Sequence, residues 1–415
     1  MRTLKKKSTE ITYDKFLLIA LGMYPVFIIV GNLFINLFIF FFSLIFLINI
    51  KNNKKILKDY SFYILIFFFI SLLINVLFSL DPVNSLPRVI KIFFVIFFIF
   101  QIKMMINQKQ YFEIELIFKI WFIIFLVVLF DIFFEILFGH NTLGFVSDMP
   151  ARVASFFGKE LVVGAYLHGF VLFFLGYTVS KKYNSNLIIL LIVGIVIISF
   201  LVGERSNFIK LLISTILFST IVLNISYKKK IIFFLITIIS ILLTLTFNDD
   251  YKPRYYDQIK ILFTGDGFSK YMSQSQYGAH QNTAIEIFKE YPLFGVGIKN
   301  FRSESRNDKY ENKEYMFTKL RQATHPHQIH HEFLSETGIF GYLSFLTFII
   351  LSLWFAIKDY SKNKNIYQLA AIIFIGSNLI PYLPSGSFLS TFNSGFFWIN
   401  YAVMISYIKN PKFKS

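Results

Sequence analysis

Residues 325–357 read HPHQIHHEFLSETGIFGYLSFLTFIILSLWFAI. The stretch opens polar and closes, from Gly338 to Ile357, as an apolar run long enough to cross a bilayer as a helix. Four of the seven histidines of the chain (His325, His327, His330 and His331) fall within its first seven residues. Imidazole titrates near neutral pH and can move a proton under physiological conditions. A cluster of it at the mouth of a membrane helix is expensive unless it does chemistry.

Outward from this stretch the chain repeats its apolar half. The 415 residues are 55% hydrophobic and 20% aromatic, with 55 Phe and a mean hydropathy of +0.60, well above the apolar content of a soluble domain. Runs of roughly 17–25 residues mark transmembrane helices. The sequence predicts an all-α polytopic membrane protein with about twelve spans, at 16–31, 33–50, 60–79, 89–106, 116–138, 160–179, 186–203, 207–225, 230–247, 338–357, 366–383 and 391–408. The first run, Phe16 to Ile50, is too long for a signal-peptide core and lacks a small-residue cleavage site after it, so it is expected to stay as membrane helices.

The net charge of +17 divides unevenly along this layout. Segments 1–15, 51–58, 103–109, 181–182, 228–230, 358–364 and 409–414 together hold 22 Lys and Arg, and the short loops between them hold five. By the positive-inside bias both termini are expected in the cytoplasm. The surplus is topological, so a nucleic-acid partner is not expected. There is no cysteine, which excludes disulfides and thiolate sites.

One connection is far longer than a hairpin. Residues 248–337 form a large extracytoplasmic loop, in which Thr283 to Glu290 shows helical spacing stopped by Pro292. A small helical cap over the site is expected. The chain divides into N-terminal helices (1–185), a core with the large loop (186–357) and C-terminal helices (358–415).

Only eight residues are Arg, and seven of them (Arg88, Arg152, Arg205, Arg254, Arg302, Arg306 and Arg321) fall on the extracytoplasmic side. Topology needs positive charge but not guanidinium. The planar fork matches phosphate and carboxylate bidentately and stays charged, which points to an anionic ligand on that face. Arg205, in GERSNF between two spans, is the strongest case, because a charge at membrane depth normally faces a cavity. Arg152, in PARVASFFGKE, is a weaker one.

His327-Gln328, then nine residues, then Gly338-Ile339-Phe340-Gly341 fits H-[NSQ]-x9-G-x-x-G. Upstream, YPLFGVGIKNFR (Tyr291 to Arg302) fits P-x-x-G-x-G-x-x-x-F. Together these resemble the O-antigen ligase and O-antigen polymerase family of bacterial membrane glycosyltransferases, most closely over Asn186 to Ile357. The resemblance implies an inner-membrane enzyme with a periplasmic site, using a glycan on undecaprenyl pyrophosphate as donor. It implies transfer to a sugar hydroxyl with inversion at the anomeric carbon, and no metal or other cofactor. By similarity His327 is the catalytic histidine and Arg205 a pyrophosphate-binding arginine. The second essential arginine of the family lies upstream of the glycine motif. Here that region reads YGAHQNTAIEIFKEYP and has no Arg, so Arg254 or Arg302 is expected to stand in. Arg152, Gln328, His325 and Glu336 are supporting candidates. The acceptor is lipid A-core for a ligase and a lipid-linked glycan for a polymerase; the large-loop motif fits the ligase form more closely.

Taken without the resemblance, the residues allow the same chemistry. Fixed guanidinium forks stabilise a departing pyrophosphate, and neutral imidazole takes the proton of an attacking hydroxyl. Other readings have less behind them. His327 and His331 have the i, i+4 spacing of a metal pair, but HPHQIHHE lacks the HExxH order of a zinc hydrolase. No acid pair stands out for a hydrolase. A transporter would explain twelve spans, but neither matching halves nor paired broken helices are visible. Asp131 and Glu135, one turn apart in the fifth span, could line a donor cavity or serve helix packing.

Overall fold

The computed structural model describes residues 14–51, 58–107, 113–257, 260 and 266–409. Parts of the basic segments expected in the cytoplasm (1–13, 52–57, 108–109 and 410–414) lie outside the described residues. Helices occupy nearly all the expected spans: α1 (14–22), α2 (Tyr24–Val30), α3 (Asn32–Ile48), α4 (Tyr60–Leu77), α5 (Pro82–Asn107), α6 (Ile114–Phe138), α7 (Val163–Ser180), α8 (Ser185–Leu201), α9 (Arg205–Val222) and α10 (Tyr227–Phe247). The large loop adds α11 (Gly267–Gln274) and α12 (Gln276–Glu290), and the chain ends with α13 (Ile329–Asn363), α14 (Ile366–Ser377) and α15 (Thr391–Ser406). Among the described residues seven helices are long and apolar enough to span a bilayer, and shorter apolar helices accompany them. The protein is an all-α, multi-pass membrane protein.

The burial pattern ranks the helices. α5, α7 and α15 are buried along most of their length, whereas Thr237 is the one buried residue in α10. α10 is therefore a peripheral, lipid-facing helix. Rings fill the core: Phe118 stacks on Tyr367 at 3.6 Å and Phe68 on Phe348 at 4.8 Å. In a bilayer, where lipid is as apolar as the core, such close packing replaces the hydrophobic effect as the force between helices.

Several boundaries differ from expectation: α5 starts seven residues early, at Pro82, the first span is split at Met23, and three more shifts have a local reason. The cap helix α12 begins at Gln276, seven residues early, because Ser275 caps it by accepting from the Gly278 amide at 2.9 Å. α13 begins at Ile329 rather than 338, and Gly338 (φ +61°) breaks it into two segments. α14 stops at Ser377, six residues short, because Pro381 and Pro384 cannot continue the hydrogen-bond ladder. Residues 378–390 then form a loop at the end of the bundle that also carries 202–204 and the large loop.

Candidate active site

The two sequence motifs form one structural unit. The Ile339 and Phe340 amides donate to the carbonyls of Pro292 and Leu293 at 2.8 and 3.2 Å. The Val296 and Gly297 amides donate to Ser335 and Glu336 at 3.0 and 2.8 Å. At Gly338 a Cβ would lie 2.4 Å from the Leu293 carbonyl, and at Gly295 (φ +66°) it would lie 2.5 Å from the Glu336 carbonyl carbon. Both glycines are dictated by this backbone-to-backbone contact. Phe294 stacks on Phe78 at 4.0 Å, and Asn75 donates to the Phe294 carbonyl at 2.6 Å, tying the unit to α4.

One α-helical segment before the Gly338 break lies the start of α13, where His327 is held. Its φ is +55°, a left-handed conformation costing a non-glycine residue about 1–3 kcal/mol. Two contacts hold it there. The Ser385 amide donates to the His327 carbonyl at 2.8 Å, and Gln328, as N-cap, accepts from the His331 amide at 2.9 Å. Gln328 also bonds the His331 ring at 2.9 Å. Thus Gln328 is a buried positioning residue. The i, i+4 spacing of His327 and His331 does not make a helical pair, because the helix starts between them.

The His327 ring stacks on His280 of α12 at 5.0 Å and lies 4.0 Å from His325 and 5.4 Å from Tyr277. Neither nitrogen of it has a hydrogen-bond partner among the described residues, so both remain available. Burial, with a smaller contribution from His280, lowers its pKa to about 4. Burial lowers His280 and His325 as well. At neutral pH His327 is therefore a neutral imidazole, the form that accepts a proton. His330 faces elsewhere, bonding the Leu379 carbonyl at 2.9 Å and Tyr342 at 3.1 Å.

Three arginines from three segments meet at Gly203. A Cβ there would lie 1.9 Å from the Ala151 carbonyl oxygen, so glycine (φ +79°) lets the Arg152 segment cross the α8–α9 turn. Arg254 donates to the Gly203 carbonyl at 3.1 and 3.3 Å, and Arg205 donates to the Arg254 carbonyl at 3.0 Å. Arg152 is more fully engaged: it bonds the Leu161 carbonyl and lies 3.7 Å from Glu204. Glu204 also accepts from the Gly164 amide and Asn207, both at 2.7 Å. Arg205 and Arg254 each bind a single carbonyl, which leaves most of their five N–H donors for a ligand. Burial first, and then Arg152 and Arg205, press the Arg254 pKa downward. A bound anion would relieve that repulsion.

The three arginines and the His325–His327 pair line one cavity of about 560 Å³, with His280 behind His327 and outside the lining. Arg152, Arg205, Arg254, His325 and His327 reach it, as expected sequence candidates. So do residues that sequence reasoning passed over: Lys210, Asn207, Tyr277, Asn378, Asn393 and the Pro384–Gly386 turn. Lys210 had a signal, being a lone cation inside the apolar run of α9; it is buried and has no ion-pair partner among the described residues. His280 and the 378–390 loop had none, since only folding brings them close. The cavity carries Arg152, Arg205, Arg254 and Lys210 against Glu160 and Glu204, a cationic balance suited to a diphosphate.

Other candidates lie apart. Arg302 lines a neighbouring cavity that shares His325 and Asn393 with the first. Glu336 is fully buried beneath the glycine motif and outside the cavity lining. Asp131 and Glu135 serve packing: Glu135 accepts from the Ala154 and Ser155 amides at 2.8 and 2.6 Å, and Asp131 from the Ser155 hydroxyl at 2.7 Å. They fix the loop that delivers Arg152.

Residues 187–346 match the family model described as O-antigen ligase. No curated protein matches the chain. The matched region runs from α8 into α13 and includes Arg205, Arg254, His280, His327 and both glycine motifs. Arg152 and the 378–390 loop, which complete the cavity, come from outside it.

Proposed function

From the match of residues 187–346 to the O-antigen ligase family model, we propose that the chain is a glycosyltransferase of this family and transfers a glycan from undecaprenyl pyrophosphate to a sugar hydroxyl on the periplasmic face of the inner membrane. The acceptor in this reading is lipid A-core, making the protein a ligase. A lipid-linked glycan acceptor, making it a polymerase, is the alternative. The observation that carries the reading is one cavity holding a neutral imidazole, unpartnered among the described residues, together with a cluster of guanidinium groups whose donors are mostly uncommitted.

In the proposed reaction the acceptor oxygen bonds to the anomeric carbon as the anomeric carbon–oxygen bond to pyrophosphate breaks. The electron pair leaves with undecaprenyl pyrophosphate. The hydroxyl proton passes to His327 and from there to solvent. Attack from the face opposite the leaving group inverts the anomeric centre. Arg205 and Arg254 bind the pyrophosphate and stabilise the charge it gains, worth about 3–4 kcal/mol for a well-placed donor. Arg152 braces Glu204 and supports them. Neither step calls on a metal ion, since the cationic side chains take the role of countercharge. The donor lipid enters laterally between helices, with both chain termini in the cytoplasm.

The test is the envelope glycan profile of a deletion strain carrying the wild-type gene or the His327→Ala variant. Bare core lipid with full-length polymer on its carrier supports the ligase. Core bearing a single repeat unit supports the polymerase. Full rescue by His327→Ala refutes the base assignment, and ligand flux in proteoliposomes without a new glycosidic bond would identify a transporter.

A further inference from the structure

Beside the first cavity lies a second, of about 700 Å³, lined by Arg88, Lys299, Arg302 and Arg306 with Asn84, Ser303, Thr324 and Ser390. Among the described residues no acidic one lines it. Lys299 has neighbours, the Ser387 hydroxyl at 2.6 Å and Glu332 at 4.0 Å. Arg88, Arg302 and Arg306 have no acidic partner among the described residues. Arginines scattered on a surface find local acids or water. Four cations gathered around one hollow repel one another and raise its positive potential, which an anion relieves.

The position of this hollow gives it meaning. It shares His325 and Asn393 with the cavity of His327, so His325 stands in the wall between them. On its other side it shares Asn84 and Arg88 with a third cavity of about 520 Å³, whose walls include Ile39, Phe40, Ile90 and Phe94 of α3 and α5. Phe40 and Ile90 are exposed on apolar helices. The three cavities form a series: a reacting centre, a cationic hollow, and a mouth between α3 and α5 in which Lys91, Asn36 and Thr391 sit beside the apolar side chains.

Resting on the glycosyltransferase reading above, we propose that the second cavity binds a phosphate group of a glycolipid acceptor. Arg88, Arg302, Arg306 and Lys299 hold the phosphate. The Ile39, Phe40, Ile90 and Phe94 side of the mouth takes the start of the lipid, Lys91 adds a further cation beside its phosphate, and the glycan passes His325 so that its hydroxyl reaches His327. Donor and acceptor thus have separate anion sites, one on each side of the histidine pair. Arg302 belongs to the acceptor and Arg254 to the donor. The phosphate can come from a polyprenyl-linked glycan or from a phosphorylated core glycolipid; both present the same group to the same forks.

The full-length protein in nanodiscs is titrated with undecaprenyl pyrophosphate and with a phosphorylated lipid A-core glycolipid, the latter also after phosphatase treatment. The exposed pair Arg302→Gln/Arg306→Gln is expected to weaken phosphorylated-glycolipid binding at least tenfold and to leave the first equivalent of undecaprenyl pyrophosphate unchanged, which also shows that the variant is folded. The dephosphorylated glycolipid is expected to bind wild type and variant alike. A second equivalent of undecaprenyl pyrophosphate on wild type, lost in the variant, equally supports the site and names a polyprenyl-linked glycan as its source. Unchanged binding of both probes to the double variant overturns the proposal, as does an equal loss with the dephosphorylated glycolipid. Separately, Arg205→Gln tests the donor reading: retention of the first equivalent there refutes the donor site without touching the acceptor result.

Discussion

Arg205 donates to the main-chain carbonyl of Arg254 at 3.0 Å, so each of these two cations helps to aim the other. The bond runs between the start of α9 and the large loop, and Arg254 in turn holds Gly203, two residues before Arg205. The pair is a closed loop of contacts around a turn. Its rigidity matters, because donors fixed in advance stabilise developing charge without reorganising.

Arg205→Ala and Arg254→Ala are each expected to reduce transfer by about 10²–10³-fold, the loss typical of one preorganised donor. Arg205→Lys is expected to rescue little, since an ammonium cannot bind the Arg254 carbonyl and a phosphate as one planar fork. Steady-state assays with the donor varied check this; recovery of more than half the wild-type rate by the lysine variant would dismiss the geometric role.

His327→Ala should cost roughly 10²–10⁴-fold in rate, the range for a positioned general base. Because burial holds its pKa near about 4 in the free protein, kcat/KM is expected to stay flat from pH 8 down past 6 and to fall only toward pH 4 to 5. A limb centred at 6.5 would show that another group is titrating. The same burial has a stability consequence. The folded-state pKa lies below the unfolded value of about 6.5, so the contribution is fully present above 6.5 and is lost as pH falls toward the folded value. The thermal midpoint should drop on acidification through this window.

Lys210→Met offers a test in which two readouts move in opposite directions. The ammonium is buried without a counter-ion among the described residues, so replacing it by an apolar side chain of similar length is expected to leave stability unchanged or raise it. Transfer should fall about tenfold or more if Lys210 contributes charge to the donor cavity. Lost stability together with lost activity would mean a structural lysine.

Gly338→Ala must place a Cβ 2.4 Å from main-chain atoms of Leu293 at a φ of +61°. A destabilisation of about 2–3 kcal/mol is expected, with loss of transfer, because the motif contact sets the first segment of α13. Gly194→Ala, in open space on α8, is the control and should be silent or slightly stabilising. Comparable effects of the two would show that the contact is unimportant.

Transfer is expected to persist in EDTA. Activity removed by the chelator and restored by Zn²⁺ or Mg²⁺ would replace the arginine-based mechanism with a metal-based one.

The spans were legible because bilayer thickness imposes a length and a composition on each helix without reference to the others. The His327 spacing, the glycine motifs and the isolated Arg205 were legible for a similar reason: each violates a local preference and so stands out. Tertiary structure decided what local pattern could not carry. His280, 47 residues before His327, becomes its stacking partner only because α12 lies over the start of α13. The choice between Arg254 and Arg302 was undecidable in sequence, since both are loop arginines; folding puts one at Gly203 with Arg205 and the other in the adjoining hollow. Residues 378–383 read as the end of a span and 384–390 as a plain connection, yet the Ser385 amide holds His327. A side chain's type and spacing are written in the chain, but which other segment lies within 3 Å of it depends on how every helix packs.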